Sequence, residues 1–555
     1  MTPRLLLVAS LLPTLAVAQS AAPPYQTSPA VSADDLRLRV SIFAHDSMQG
    51  REAGTPGHVK ATDYIARELA RLGVQPAGDS GTYFQTVPVT VRRLDPAGVV
   101  SVDGQPLTPG DDYLVFPDIG LPGVGASFQA EGVPVVYGGK LSEPTLVGPD
   151  AVAGKLVLFA PADGPQGWQF WARFGPPQWQ RFASAAGILI AAREALPDGL
   201  VSAFTQTSMV LEDGRAEAPT HRFMYVTREA AERMMGGPLS GLLPGAEGKV
   251  MTATAGFISG PPEAPARNVV GIVPGTDPAL RQQYVGFGAH SDHDGIAARA
   301  LEHDSLRAWN GIIRPGGAED ENRDATAAEQ ERYRQVLDSL RAVRPARADS
   351  VMNGADDDAS GSMGLLEIAE ARAASPARRS LLFVWHVAEE KGLYGARWYS
   401  DHPTVPRDSI VAMLNADMIG RGMEGDVPEG GMSYLQLIGS RRLSTRLGDM
   451  VEEVNAAKGF GFAFDYQYDA NGHPQQYYCR SDHYEYAKWG IPIVFFSTGG
   501  HRDYHMVTDE PEYLNYEKLA KVSQFMGEVG ATVADLDERV PVDKQKPDPR
   551  GQCRQ

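Results

Sequence analysis

Cysteine is scarce: the 555-residue chain has two, Cys479 and Cys553. Two thiols cannot form a disulfide scaffold, and whether they pair is decided by geometry and not by spacing. A cationic excess is also missing. The chain has 51 Lys and Arg against 69 Asp and Glu, a formal charge of −18. That argues against nucleic-acid binding, which needs a basic footprint. Beyond the N-terminus no apolar run reaches the length of a membrane span, so no stable membrane insertion is expected. No internal repeat is apparent either. With 43% hydrophobic and 22% charged residues the composition is globular, which excludes wholesale disorder, a coiled-coil rod and a collagen-like chain.

What is present starts with an export signal. Arg4 supplies a short positive region, and Leu5 to Val17 is an apolar run broken by Pro13. Ala16-Val17-Ala18 matches a small-x-small cleavage site, so residues 1–18 read as a signal peptide cut after Ala18. The mature protein is then periplasmic or secreted. Residues 19–35 read as a flexible leader. Residues 36–90 hold an amphipathic helix over 57–72, with Ala61, Tyr64, Ile65, Leu69 and Leu72 on one face. From 91 to 262 the pattern becomes short strands and turns, such as the runs at 132–138, 155–159 and 187–191, with a helical stretch over 178–186. This unit concentrates no catalytic residue types and reads as a β-rich accessory domain. From 263 to 537 apolar strands alternate with helices. That predicts an α/β fold with a mainly parallel central sheet flanked by helices. Residues 538–555 form a C-terminal tail.

The chemistry lies just past the strands. The run 284–289 ends in His290-Ser-Asp292-His293-Asp294, where a His can bind a metal while a nearby Asp orients the ring. Asn353-Gly-Ala-Asp-Asp-Asp-Ala-Ser-Gly361 places three acids at the start of a helix. Capping explains one of them and leaves two that repel unless a cation absorbs their charge. The run 381–385 leads to Glu389-Glu390, the run 410–414 to Asp417, and the run 491–496 to His501, Tyr504 and His505. Each alone reads as a polar loop. Ligands of open α/β sheets bind outside the carboxyl ends of the strands, and five successive segments deliver His, Asp, Glu, Asp and His there. This nitrogen and carboxylate set suits catalytic zinc, or cobalt or manganese, and sharing one carboxylate fits it to two ions.

The set H-S-D, N-G-A-D-D-D-A-S-G, A-E-E-K-G-L-Y-G, N-A-D-M-I-G-R and D-Y-H-M-V-T-D resembles metallopeptidase family twenty-eight, co-catalytic di-zinc exopeptidases that are mostly aminopeptidases. The resemblance covers roughly 36–90 and 265–535 and implies the zinc-exopeptidase fold. It implies that His290 and Asp417 hold one zinc, that Glu390 and His505 hold the other, and that Asp357 bridges both, with the Asp357–Asp358 peptide cis. It makes Glu389 the general base, Asp292 the residue orienting His290, and Tyr504 a stabiliser of the tetrahedral intermediate. A packed tyrosine beside a ligand is the plainer reading of Tyr504. The accessory unit resembles, by pattern alone, the protease-associated domain inserted in secreted peptidases. Expected partners are two Zn2+ ions and peptide substrates.

One departure from the family pattern is a helical insert over 296–350, a candidate lid beside the ligand segments. Its helix shows an apolar stripe of Tyr333, Val336, Leu337, Leu340 and Val343. Acids near the ligands (Asp294, Asp356, Asp482 and the insert's Glu319-Asp-Glu-Asn322) are compatible with binding a substrate α-amine. Arg421, Arg480 and Arg502 keep open the alternative, a carboxypeptidase or dipeptidase that grips a terminal carboxylate. A non-catalytic binding protein on the same scaffold would have lost ligands or the base, and none is missing.

Overall fold

The computed structural model describes residues 26–555 except 117–123, 126, 165, 170–179, 215–220 and 552. The expected signal peptide lies outside the described residues. The described end of the leader is docked: Thr27 Oγ1 donates to Glu370, and helix α1 (Ala33–Phe43) starts inside it, N-capped by Ser32. Helix α2 (Pro56–Arg71) has Thr55 as N-cap and Pro56 at its first turn, where a missing N–H costs nothing. It buries Ala61, Tyr64, Ile65 and Leu69, the face its spacing marks.

A nine-stranded mixed sheet forms the centre. In chain order its main strands are β1 (Arg267–Val273), β2 (Tyr284–His290), β5 (Ser380–His386), β6 (Ile410–Ala416), β7 (Tyr434–Ile438), β8 (Ala463–Asp465) and β9 (Ile493–Ser497). Strands β3 (Gly295–Glu302) and β4 (Ala348–Met352) belong to the insert. The order across the sheet is β1-β5-β2-β6-β9-β7-β8. The four central strands, β5, β2, β6 and β9, run parallel. Toward the edges, β1 and β7 pair antiparallel with their neighbours. The α/β class holds, while parallel pairing is confined to the centre and to the outlying β7–β8 pair.

The central strands are apolar on both faces because helices cover both. Along β5, Leu381, Phe383 and Trp385 pack with α1, α2, α5 (Gly361–Ala374) and α6 (Tyr516–Ala534). Leu382 and Val384 face the opposite layer with Tyr399, Met413, Tyr486 and Ile493. Every C-terminal end of the parallel strands therefore opens on one edge.

The described residues of 89–260 build a separate eleven-stranded sheet, whose two longest strands, Ser127–Lys140 and Glu247–Gly260, pair antiparallel. The helix expected over 178–186 is not formed: its described residues hold one short turn, Gln180–Phe182. The unit meets the central domain through Val89 and Leu211, packed on Val387 and Ala388 just past β5.

The insert pairs β3 with β4 and carries α3 (His303–Ile313) and α4 (Ala327–Val343). Of the apolar stripe expected on α4, Tyr333, Leu337 and Leu340 are half-buried. The helix buries no residue, and Val336 and Val343 are exposed. Tyr333 meets the edge of Trp309 on α3. Cys479 and Cys553 form a disulfide that ties the tail to the domain.

Candidate metal centre

His290 is the last residue of β2, and Asp417 directly follows β6. Glu389 and Glu390 lie three and four residues beyond β5. His505 sits in the loop after β9, and Asp357 in the widened turn that opens α5. Chain positions 290 to 505 thus converge on one sheet edge.

Asp357 stands between two triads. Its Oδ1 is 3.0 Å from His290 Nε2, which is 3.6 Å from Asp417 Oδ1. Its Oδ2 is 3.0 Å from His505 Nε2, which is 3.2 Å from Glu390 Oε2. The two triads, His290–Asp357–Asp417 and Asp357–Glu390–His505, are each compact enough to hold one cation. Glu389 groups with His290 and Glu390 within 4.8 Å.

The residues fit metal ions on an observation independent of motif. His290 Nε2 is fully buried and makes no hydrogen bond, although a carboxylate oxygen stands 3.0 Å away. Approach without hydrogen-bond geometry, at a cost the fold would otherwise avoid, is what shared coordination of a cation requires. The donors are imidazole and carboxylate with no thiolate, a set that suits zinc with open positions.

The acidic triplet divides its work. Asp356 accepts from Gly420 N and faces His501 Nε2 at 3.2 Å. Asp358 accepts from His290 N, Gly361 N and Met418 N, pinning three segments. Only Asp357 faces both triads. Its peptide to Asp358 is cis. Asp509, raised to about 6 by burial, receives the N–H groups of Asp356 and Asp357.

Around this core the other candidates take definite places. The nearest contact of His290 Nδ1 is the carbonyl of Asp292 at 3.2 Å, with the Asp292 carboxylate at 4.0 Å. That carboxylate accepts from Glu389 N, and burial pushes its carboxyl up to about 7. Burial also drives Glu389 well above its ordinary range, with His290 opposing and Glu390 reinforcing. Asp294 does not point to a free amine subsite; it lies 3.2 Å from His505 Nδ1. Asp482 is buried against His386 Nδ1 at 3.1 Å. His293 Nδ1 meets Glu390 Oε1 at 2.7 Å. The Tyr504 ring packs on His505, and its hydroxyl is 3.4 Å from Arg480.

Two contributors carry no functional mark in the sequence, and a third has only its place in a motif. Arg51 is fully buried and donates to the carbonyls of Ser291, Asn353 and Gly354, next to two ligand segments. Ser481 Oγ donates to Asp417 Oδ2 at 2.7 Å and is held by Asn415. Asp509 closes the motif D-Y-H-M-V-T-D, but its role as acceptor for the Asp triplet is visible only in three dimensions.

The triads open on a cleft lined by Met418, Tyr477, Phe495, Gly499 and Tyr504 beside Asp357, Glu389 and Asp417. Glu319 and Arg480 form its polar wall.

Residues 268–530 match the model of Peptidase family M28. Over 75 residues the chain is 40% identical to a probable leucine aminopeptidase of Arthroderma benhamiae and to another of Trichophyton verrucosum. That stretch is 12% of this chain and 21% of each relative, so the chain spans about a fifth of the curated relatives it matches. Among solved structures, an aminopeptidase from Aneurinibacillus sp. strain AM-1 aligns with a TM-score of 0.47 at 15% identity. The alignment covers 93% of this chain and 97% of that one. A zinc aminopeptidase from Bacillus subtilis, BSAP, aligns with a TM-score of 0.46 at 16% identity, over 93% and 100%.

Proposed function

From the match of residues 268–530 to the model of Peptidase family M28, we propose that the chain is an exported metallo-aminopeptidase that uses two zinc ions. The observation that carries this reading is the pair of triads sharing Asp357. His290 and Asp417 would hold one ion, Glu390 and His505 the other, and Asp357 both. The ions would acidify the attacking water and polarise the scissile carbonyl.

The chain's own residues do the rest. Glu389 takes the proton of the attacking water and delivers it to the leaving amine, a role its raised affinity for protons suits. Asp292 fixes Glu389 through its backbone N–H and His290 through its own carbonyl. Ser481 holds Asp417 in place. Tyr504 reaches the cleft wall from the residue before His505, positioned to donate to a developing oxyanion.

The state of the nearby cations favours action at the amino end. Arg421 is buried between Asp426 and Asp503, Arg502 donates to Gly425 O, and Arg480 pairs with Glu319. A carboxypeptidase needs a free cation for the terminal carboxylate, and each Arg near the ligands is engaged. Export is supported by the N-terminal signal pattern and by the disulfide, which persists in oxidising compartments. Among the described residues no helix is long and apolar enough to cross a membrane.

The deciding experiment is hydrolysis of one peptide series with product masses recorded. N-acetylation should block cleavage and C-terminal amidation should not. The reverse pattern overturns the polarity.

A further inference from the structure

Glu319 reaches the cleft from the insert, and its position is built with care. The turn Gly317–Glu319 lies against the loop that carries Tyr504 and His505. Ala318 N donates to Tyr504 O at 3.2 Å, and Gly316 N to Asp320 Oδ2 at 2.7 Å. Gly317 has φ +62°, and a Cβ there would stand 2.7 Å from His501 O and 2.9 Å from Tyr504 O. Only glycine fits, so the turn is pinned on both counts. Helix α3 adds Arg307 on Asp503 at 3.2 Å and Asn310 on Arg502 O at 3.0 Å.

From this support the Glu319 side chain meets Arg480 Nη2 at 2.5 Å inside the cleft. Arg480 is the one Lys or Arg lining that cleft among the described residues. Its Nη2 is also 3.4 Å from the Tyr504 hydroxyl, and its guanidinium stands 5.5 Å from the Tyr477 ring centre. An isolated Arg here would be a carboxylate receptor. Glu319 already occupies it.

We propose that Glu319 is a specificity-determining residue that occupies Arg480 and so denies this cation to substrate carboxylates. The inference rests on the aminopeptidase reading above and names its substrate class: peptides that present a neutral group to this wall. A substrate carboxylate could come from an acidic first side chain or from the free C-terminus of a dipeptide. Either must displace Glu319 and leave its charge unpaired beside Asp417 and Glu389. Met418 and Phe495 offer the remaining wall to apolar groups.

The test uses the metal-loaded full chain and the variants Glu319→Gln, Glu319→Ala and Glu319→Gln with Arg480→Gln. One arm compares kcat/KM for Glu-Ala-Ala-amide against Leu-Ala-Ala-amide, and the other compares Leu-Ala against Leu-Ala-amide. Calorimetry of glutarate binding reads the freed cation without turnover. In both single variants at least one carboxylate-bearing substrate should gain tenfold over its neutral counterpart, mainly through KM. Glutarate should bind tenfold tighter, and both gains should vanish in the double variant. Glutarate affinity within threefold of wild type in both single variants overturns the proposal, as does a gain that survives loss of Arg480. A wild-type enzyme that cleaves none of the peptides overturns the aminopeptidase reading instead, while the glutarate result still judges the Glu319–Arg480 pair.

Discussion

Replacing Arg51 with Met should loosen the metal centre from a distance. The Arg51 guanidinium donates to four buried carbonyls: Phe43 at 3.2 Å, Ser291 at 3.3 Å, Asn353 at 2.6 Å and Gly354 at 2.9 Å. Burial lowers its pKa to about 10, against the pull of Asp509, Asp292, Asp357 and Asp358, so it stays charged at neutral pH. Met keeps an unbranched stem and removes all four donors. An unpaired buried acceptor costs about 1–3 kcal/mol, so four give about 4 kcal/mol at the low end. Relief of the buried cation offsets part of this, and removing one partner from a buried charged network typically costs about 3–5 kcal/mol net. At roughly 2 °C per kcal/mol for a domain of this size, melting should fall by about 6–10 °C. The two segments that lose their tie are those leading from His290 and into Asp357, so bound metal should fall as well. Arg51→Lys, which keeps the charge without the fork, should lie between Met and wild type. Differential scanning calorimetry with metal analysis reads both effects. Melting within 1 °C of wild type and full metal content in Arg51→Met would refute the reasoning.

Glu389→Gln should cut turnover by about 10²–10⁴-fold through loss of proton transfer, with zinc content kept. Asp357→Asn should lose metal from both triads; metal analysis showing the opposite pattern would exchange their roles. Cys553→Ala opens a covalent loop with a sequence separation of 74, worth about 4.5 kcal/mol in the chain-entropy model. Urea unfolding should register a drop of up to that size, and an unchanged midpoint would mean the tail stays docked through its other contacts. Burial, aided by Asp349 and Asp46, raises Glu510 from an ordinary 4.5 to about 8, with Asn353 opposing. The folded state binds this proton more tightly than the unfolded chain does. Its contribution is therefore complete below about pH 4.5 and lost as pH rises toward 8. Glu510→Gln should melt higher than wild type at pH 8.5 and no higher at pH 4; a pH-independent difference would reject the assignment.

The α/β class, the four parallel central strands and the segments that carry the candidate ligands were legible in the sequence, because each depends on local pattern; the outlying strands β7 and β8 and the insert's β3 and β4 were not. Central strands buried on both faces are continuous apolar runs, as in Leu381–Trp385, and the residues just past such a run in a parallel sheet must sit at one edge. His290, Glu390, Asp417 and His505 could be placed near one another on that ground alone. The middle member of the Asp triplet came from resemblance, since three adjacent acids look alike until their partners are known.

Only the tertiary structure decided the rest. It bound Arg51 to carbonyls some 240 and 300 residues away, a relation no local pattern encodes. It turned Asp294 to His505 and Asp482 to His386, which removed two acids that the sequence had made candidates for an amine subsite. It joined Cys479 to Cys553, a question of Cα separation that spacing leaves open. And it left Val336 and Val343 of the α4 stripe exposed and the rest only half-buried, because periodicity states which face of a helix is apolar and not how far another element covers it. Residue order set what each segment would carry to the sheet edge; which side chains then compensate one another there depended on distances between segments far apart in the chain.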